Sequence, residues 1–274
     1  MSDDQPLDDQ VLHRIEGGVA WITLNRPDAH NAISPDQRDR VISLLTDASE
    51  DLAVRCVVLT ANGKGFCTGA DLRATRPPRS RPEGAPERTA GEVARMIRDG
   101  AQRLIAAVLD CEKPVIAAVN GTAAGIGAHL AFAADLIIAA ESVNFIEVFV
   151  RRGLVPDGGG AYLLPRLIGM HKTKELMFFG DKLSATDAAH LGLVNRVVPD
   201  DQLIDLAIEW SNRLAAAPRS IVATKWLLNR SLDSDRASAF HDEAIAQDLN
   251  MTTADAQEGV ASFIERRDPI YRGW

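Results

Sequence analysis

A chain of 274 residues is long enough for one large domain or a core with an appendage, and its content of 46% hydrophobic and 25% charged residues is that of a water-soluble globular protein. A formal net charge of −8 argues against general nucleic-acid binding, which needs a basic face, and no apolar run reaches membrane-spanning length. The three cysteines, Cys56, Cys67 and Cys111, show no Cys-x-x-Cys or Cys/His metal spacing, and the N-terminal stretch MSDDQPLDDQ is acidic where a signal peptide is basic and then apolar. The expectation is a cytoplasmic protein with no disulfide framework and no metal site.

In chain order, Val11–Ile15 alternates loosely and Val19–Leu24 (VAWITL) reads as a strand, punctuated by Asn25–Pro27. Ser34 followed by Pro35 is a helix start, and Val41, Leu44, Leu45 and Ala48 lie at helical spacing as far as about Asp51. Val54–Thr60 and Pro114–Val119 are short apolar runs that predict buried strands. Glu92–Leu109 predicts a helix, as does the nearly all-apolar Gly125–Ala134, and Leu136–Ala139 a strand. This alternation indicates an α/β core with parallel crossovers. From about Lys172 the pattern turns helical: 172–179, 184–191, 200–217, 220–229, 237–249 and 253–266. The expected division is a core of 1–198 with a helical region of 199–274.

One segment stands apart. Arg73–Arg88 holds five arginines (73, 76, 79, 81, 88) against two glutamates, and four prolines. It predicts a mobile loop over 73–91, either a solvated insertion or a lid whose arginines face an anionic ligand.

Two glycine-rich segments carry the chemistry. Gly65–Asp71 (GFCTGAD) and Asn120–Leu130 (NGTAAGIGAHL) each follow a predicted strand, and the second opens a helix. Glycines let a ligand approach the main chain, and amides at a helix start lack intrahelical partners. Two such amides could grip one carbonyl oxygen as it becomes an oxyanion. There is no G-x-G-x-x-G and no Walker sequence, so the segments are not a nucleotide fingerprint.

Taken together the chain resembles the crotonase superfamily, the enoyl-CoA hydratase/isomerase family, and is similar to it along nearly its whole length. The resemblance rests on LNRPDAHNAI (24–33), VVLTANGKGFCTGADL (57–72), KPVIAAVNGTAAGIGAHL (113–130), the stretch 145–169 and EGVASFIERR (258–267). It implies a spiral of ββα units with a helical trimerisation region, and a homotrimer or a dimer of trimers. It implies an acyl-CoA substrate, with coenzyme A as part of that substrate and no other cofactor. The thioester carbonyl would be held by the amides of Ala70 and Ile126. Contacts to CoA would come near Arg26, Ala29, Asp71 and Leu72, and near Phe263 and Arg266 of the C-terminal helix.

The chain departs from the family pattern where chemistry is done. Hydratases of the family carry two glutamates, and the matching positions here are His129 and Phe149. Phe149 cannot carry a proton and becomes part of the acyl pocket wall. His129 is either a pocket-lining histidine or a second acid/base. A carboxylate stands instead at Asp157 in GLVPDGGG, either as a helix N-cap or, as in crotonase-like isomerases such as the epoxyphenylacetyl-CoA isomerase group, whose wording is similar, as the working acid/base. Cys67 has no partner base to make it a nucleophile. Asp135 and Asn120 read as turn or cap residues. The expected activity is double-bond isomerisation through an oxyanion-held enolate. Inefficient hydration and non-catalytic acyl-CoA binding are the alternatives.

Overall fold

The computed structural model describes residues 6–74 and 81–274. The chain enters through α1 (Leu7–Gln10), β1 (Val11–Glu16), β2 (Val19–Leu24), α2 (Pro35–Glu50), β3 (Cys56–Ala61) and β4 (Gly65–Cys67). It continues through α3 (Glu92–Ile97), α4 (Arg103–Leu109), β5 (Val115–Val119), β6 (Thr122–Ala124), α5 (Ile126–Phe132), β7 (Leu136–Ala140) and β8 (Asn144–Ile146). Then follow α6 (Gly160–Ile168), α7 (Met170–Phe179), β9 (Lys182–Ser184), α8 (Ala185–His190) and β10 (Arg196–Val198). Four helices close the chain: α9 (Leu203–Ala215), α10 (Ser220–Ser231), α11 (Arg236–Asn250) and α12 (Ala254–Glu265).

Two sheets result. The larger runs β1-β2-β3-β5-β7-β10, parallel except for β1, and the smaller runs β4-β6-β8-β9, parallel except for β9. β3 and β5 are buried along their whole length, which is why their sequences are apolar throughout except for Thr60, whose hydroxyl donates to the Ala118 carbonyl. The chain alternates between sheets, β3 then β4, β5 then β6, β7 then β8, so the small sheet is laid down one short strand at a time. This is the α/β core with parallel crossovers that the sequence predicts, with helices gathered after it. Among the described residues no helix is long and apolar enough to cross a membrane.

Local sequence explains the ends of the elements. Ser34 caps α2 in a reciprocal box with Gln37, and Pro35 takes the first turn, where its missing N–H costs nothing. The helix expected over Glu92–Leu109 is one run interrupted by a π-helical turn at Arg98–Gln102. At Gly100 in that turn a Cβ would stand 2.7 Å from the Arg38 guanidinium on α2. The helix α6 contains Pro165 and begins on the third of three successive glycines, signals that otherwise stop a helix. Helix α9 packs against β2, β3, β5 and β7, so it covers the large sheet, whereas α10 and α11 pack mainly on each other.

The three parallel strands β4, β6 and β8 end side by side and deliver three loops to one place. β4 leads to Gly69–Ala70, β6 to Gly125–Ile126, and β8 to Glu147–Phe149. Helix α5 sits directly on β4 through Gly127, where a Cβ would overlap the Cys67 carbonyl. Gly127→Ala is therefore expected to lower the unfolding free energy by about 3 kcal/mol, read by urea denaturation. A variant as stable as the parent would contradict this packing.

Candidate active site

The first glycine segment is held by a bridge to the loop before α2. The Ile33 N–H donates to the Gly69 carbonyl at 2.9 Å and the Asp71 N–H donates to the Ile33 carbonyl at 3.0 Å. Ala70 lies between these bonds, so its own N–H points away from Ile33, and it makes no hydrogen bond to another described residue. Gly69 adopts φ +111°, a value that favours glycine, and brings this segment against the second, since a Cβ there would stand 3.3 Å from the Ala124 carbonyl oxygen. Gly125, at φ +53°, donates its N–H to the Ile146 carbonyl at 2.9 Å and turns the chain into α5. Ile126 is the first residue of α5 and its N–H lacks an intrahelical partner. The two amides singled out by sequence thus lie on touching segments.

The acid/base candidates converge behind them. Asp157 is half-buried in the loop before α6. It does not cap that helix: the cap is Gly159, in the left-handed region at φ +83°. The Asp157 carboxylate makes no hydrogen bond to another described side chain. Burial lifts it above the ordinary carboxylate range, while the field of His129 and its own backbone amide pull the other way. His129, one turn along α5 from Ile126, has no exposed surface. Its ring lies against the backbone of the Asp157 loop. A Cβ on Gly158 would stand 3.0 Å from Nδ1, and one on Gly160 would overlap the ring. Phe149 stacks on the same imidazole, with ring centroids 5.3 Å apart and 17° between planes. It also reaches Gly125, where a Cβ would lie 3.5 Å from its Cζ.

Sequence reasoning overlooked Glu147. It stands two residues before Phe149, is 4% exposed, and its Oε2 lies 3.1 Å from His129 Nε2. A lone charge inside the apolar run NFIEVF was the available signal, since such a residue at the end of a buried strand needs a partner.

The residues expected near CoA divide into two groups. Arg26 and Asp71 are a buried ion pair whose side chains are 2% and 4% exposed, and they organise the loop instead of presenting free charge. Arg26 Nη1 donates to the Ala32 carbonyl, to Gln37 Oε1 and to Asp71 Oδ2 at 3.1–3.2 Å. Asn31 completes the clamp: its Oδ1 accepts the Arg26 N–H at 2.7 Å, and its Nδ2 donates to the Asn62 and Gly65 carbonyls. Ala29 closes a 3-10 turn beside this clamp, and Leu72 is 71% exposed at the segment's end. Phe263 is 85% exposed and Arg266 is the left-handed cap of α12. Among the described residues no hydrogen bond or ion pair ties either of them to the glycine segments.

Of the Arg/Pro-rich loop, Arg76, Pro77, Pro78 and Arg79 lie outside the described residues. Arg73 pairs with Asp71 at 3.3 Å. Arg81 donates to the Pro86 and Glu87 carbonyls and pairs with Glu92 at 2.6 Å, so these two arginines are bound within the protein. Cys67 is fully buried and its thiol is pushed up to about 11, which leaves little thiolate for nucleophilic work. Asp135 accepts the Val115 N–H at 2.7 Å and pairs with Lys225 at 2.8 Å; Asn120 donates to the Gly63 carbonyl. Both have the structural duties expected of them. An open groove of about 1080 Å³ lies between α4, α6, α10 and α11, lined by Tyr162, Trp226 and Asp233 and not by the residues above.

Two amides without partners among the described residues thus lie on touching segments, and the half-buried Asp157 sits in the loop that packs against α5. Residues 14–273 match the family described as enoyl-CoA hydratase/isomerase, and the chain belongs to that family, the crotonases. Its relatives include the 1,2-epoxyphenylacetyl-CoA isomerase of Escherichia coli K12, 34% identical over 264 residues, covering 96% of this chain and 98% of the relative. A short-chain-enoyl-CoA hydratase of Clostridium acetobutylicum is also 34% identical, over 94% of this chain and 95% of its own length. The crystal structure of an enoyl-CoA hydratase from Bacillus anthracis superposes with a TM-score of 0.86 at 32% identity, over 97% of this chain and all of that one.

The Arg26–Asp71 pair makes a prediction about stability. Burial alone would raise the Asp71 carboxyl, but the Arg73 amide and guanidinium, with Arg26, reverse this and hold it below the usual carboxylate range. Such a group stabilises the fold above the pKa of an unfolded aspartate, and the contribution is lost as pH falls through the lowered folded value. Asp71→Asn is expected to destabilise the protein by about 3–5 kcal/mol at pH 7, because it leaves Arg26 buried without its counter-charge. In urea titrations the gap between variant and parent should narrow below about pH 4. Equal stability at pH 7 would contradict the assignment.

Proposed function

We propose that this family member shifts a carbon–carbon double bond in an acyl-CoA thioester, with Asp157 carrying the proton. The observation that carries the reading is the state of the carboxylates. Asp157 is half-buried, caps nothing and has no side-chain partner, whereas Glu147 is held on His129 in the interior and Phe149 fills the second glutamate position. Addition of water needs a positioned water and groups to handle its two protons; a 1,3 transfer needs one group that takes a proton from one carbon and returns it to another.

In this mechanism the amides of Ala70 and Ile126 hold the thioester oxygen. Removal of a proton by Asp157 then gives an enolate whose charge rests on those amides, each worth roughly 2.7–4 kcal/mol to the transition state. The protonated Asp157 returns the proton at the distal carbon. Its raised pKa suits both halves, since the group must be a base in one and an acid in the other. The buried Arg26–Asp71 clamp sets the loop over which the CoA moiety lies, with Ala29 and Leu72 on its outer side and Phe149 on the acyl side.

Assembly into trimers, or dimers of trimers, is part of this proposal. The exposed apolar side chains of the C-terminal helices, among them Trp226, Phe240, Phe263 and Ile264, are the surface that such assembly would cover. In that arrangement α10–α12 supply the assembly surface within the helical region 199–274, and α9, in the same region, covers the large sheet.

Asp157→Asn is the test. With a 3-enoyl-CoA substrate, kcat should fall by about 10²-fold or more while the fold survives. A carboxyl whose folded pKa is raised contributes stability below the unfolded value and loses it as pH rises through the folded one, so at neutral pH the asparagine variant should melt no lower than the parent. Activity within about threefold of the parent, the bound set by the size of general acid–base effects, would end this role for Asp157.

A further inference from the structure

The large sheet has a second charged locus, at the opposite end of its strands from the glycine segments. Arg55 directly precedes β3, Lys113 stands two residues before β5, and Arg219 is the N-cap residue of α10. All three line one small cavity of about 20 Å³, beside apolar residues such as Val54, Leu214 and Ile221, and no acidic side chain lines it. Lys113 is 3% exposed, yet its ammonium makes no hydrogen bond or ion pair to another described residue. The second lysine buried among the described residues is treated differently. Lys225 pairs with Asp135 at 2.8 Å and donates to the Val108 and Lys113 carbonyls.

We infer that this cavity is a binding site for a single small inorganic anion, a halide such as chloride, held by Lys113 with Arg55 and Arg219. The physical argument is one of unmet charge. A buried ammonium without a partner is costly, and here two guanidinium groups share its cavity. Burial first, then the Arg219 charge, holds the Lys113 ammonium below the ordinary lysine range, although Glu112, Cys111 and Asp51 pull the other way. An anion in the cavity would meet the three positive charges at once. The volume sets the class of ligand: there is room for about one water-sized species, which admits a halide and leaves out a tetrahedral oxyanion or an organic acid.

The nearby acids are engaged elsewhere. Glu112 is exposed and pairs with Arg219 at 3.3 Å, and Asp51 accepts the Ala53 N–H at 2.8 Å. Asp255 accepts the backbone N–H groups of Arg219, Arg272 and Gly273. Arg55 is held in place: it donates to the Ala217 carbonyl, and a Cβ on Gly273 would overlap its guanidinium. An anion bound there would tie the starts of β3 and β5 to the turn between α9 and α10. It would act on the stability of that junction and not on the acyl-CoA chemistry.

Thermal melts at neutral pH and fixed ionic strength test this, with sodium chloride exchanged for sodium gluconate, whose anion is too large for the cavity. A ligand that binds only the folded protein raises the melting temperature once its concentration passes its dissociation constant. Lys113→Met keeps the length and the apolar stem of the side chain but removes the charge. The change in melting temperature from gluconate to about 0.3 M chloride should favour the parent over Lys113→Met by about 2 °C or more. Equal changes in the two proteins would overturn the inference, because the effect of chloride would then be general and not seated at this cavity. Bromide gives a second reading that needs no variant. Crystals of the parent protein grown with sodium bromide should show an anomalous scattering peak in the cavity, in contact with Lys113 Nζ. A cavity that holds only water under those conditions would equally overturn the inference.

Discussion

The contact on which the site depends is the absence of a side chain at Gly127. It lets the first turn of α5 lie on the Cys67 carbonyl at the end of β4. That contact sets the two glycine segments side by side, while His129, one turn further along α5, is fully buried. The small sheet supplies the rest by geometry. Three parallel strands of three residues each, β4, β6 and β8, end together, and each is followed by a loop that carries a candidate site residue. The large sheet and its helices provide the buried area that makes so short a sheet stable.

Charges are arranged in two layers around this edge. On the outer side the Arg26–Asp71 pair, with Gln37 and Asn31, fixes the loop that a CoA moiety would cross. On the inner side the His129–Glu147 pair lies under the Asp157 loop. Neither pair is chiefly a device for stability, since buried ion pairs often do no better than apolar replacements. Their shared property is that they hold a backbone or a ring in one place. Asp157 differs from both: its carboxylate is half-buried, bonds to no other described side chain and is raised by burial, which is what the proposed proton transfer requires.

Much of this was legible in the sequence, for reasons that differ by element. The helix α2 announces itself through Ser34, Pro35 and Gln37, and β3 and β5 through apolar runs broken only at Thr60. Strands of three residues show no period, so β4, β6 and β8 could be expected only from the resemblance to a known family. Helix α6 was hidden by the glycines before it and by Pro165 inside it. The possibility that Asp157 is a helix cap could be removed only in three dimensions, where the cap proves to be Gly159. Glu147 is inconspicuous in the sequence because the family pattern places its glutamate two residues later, where the chain has Phe149. An offset of two along a loop moves a carboxylate from the pocket wall to the interior, and no spacing rule reveals that.

The central claim, that this site moves a proton within an acyl-CoA and does not add water, is tested most directly by mass spectrometry of enoyl-CoA thioesters turned over in deuterated water. The account predicts deuterium at the α or γ carbon with the double bond displaced and no gain of the mass of water. Stable addition of water to a 2-enoyl-CoA, with no positional isomer formed from any 3-enoyl-CoA, would contradict it.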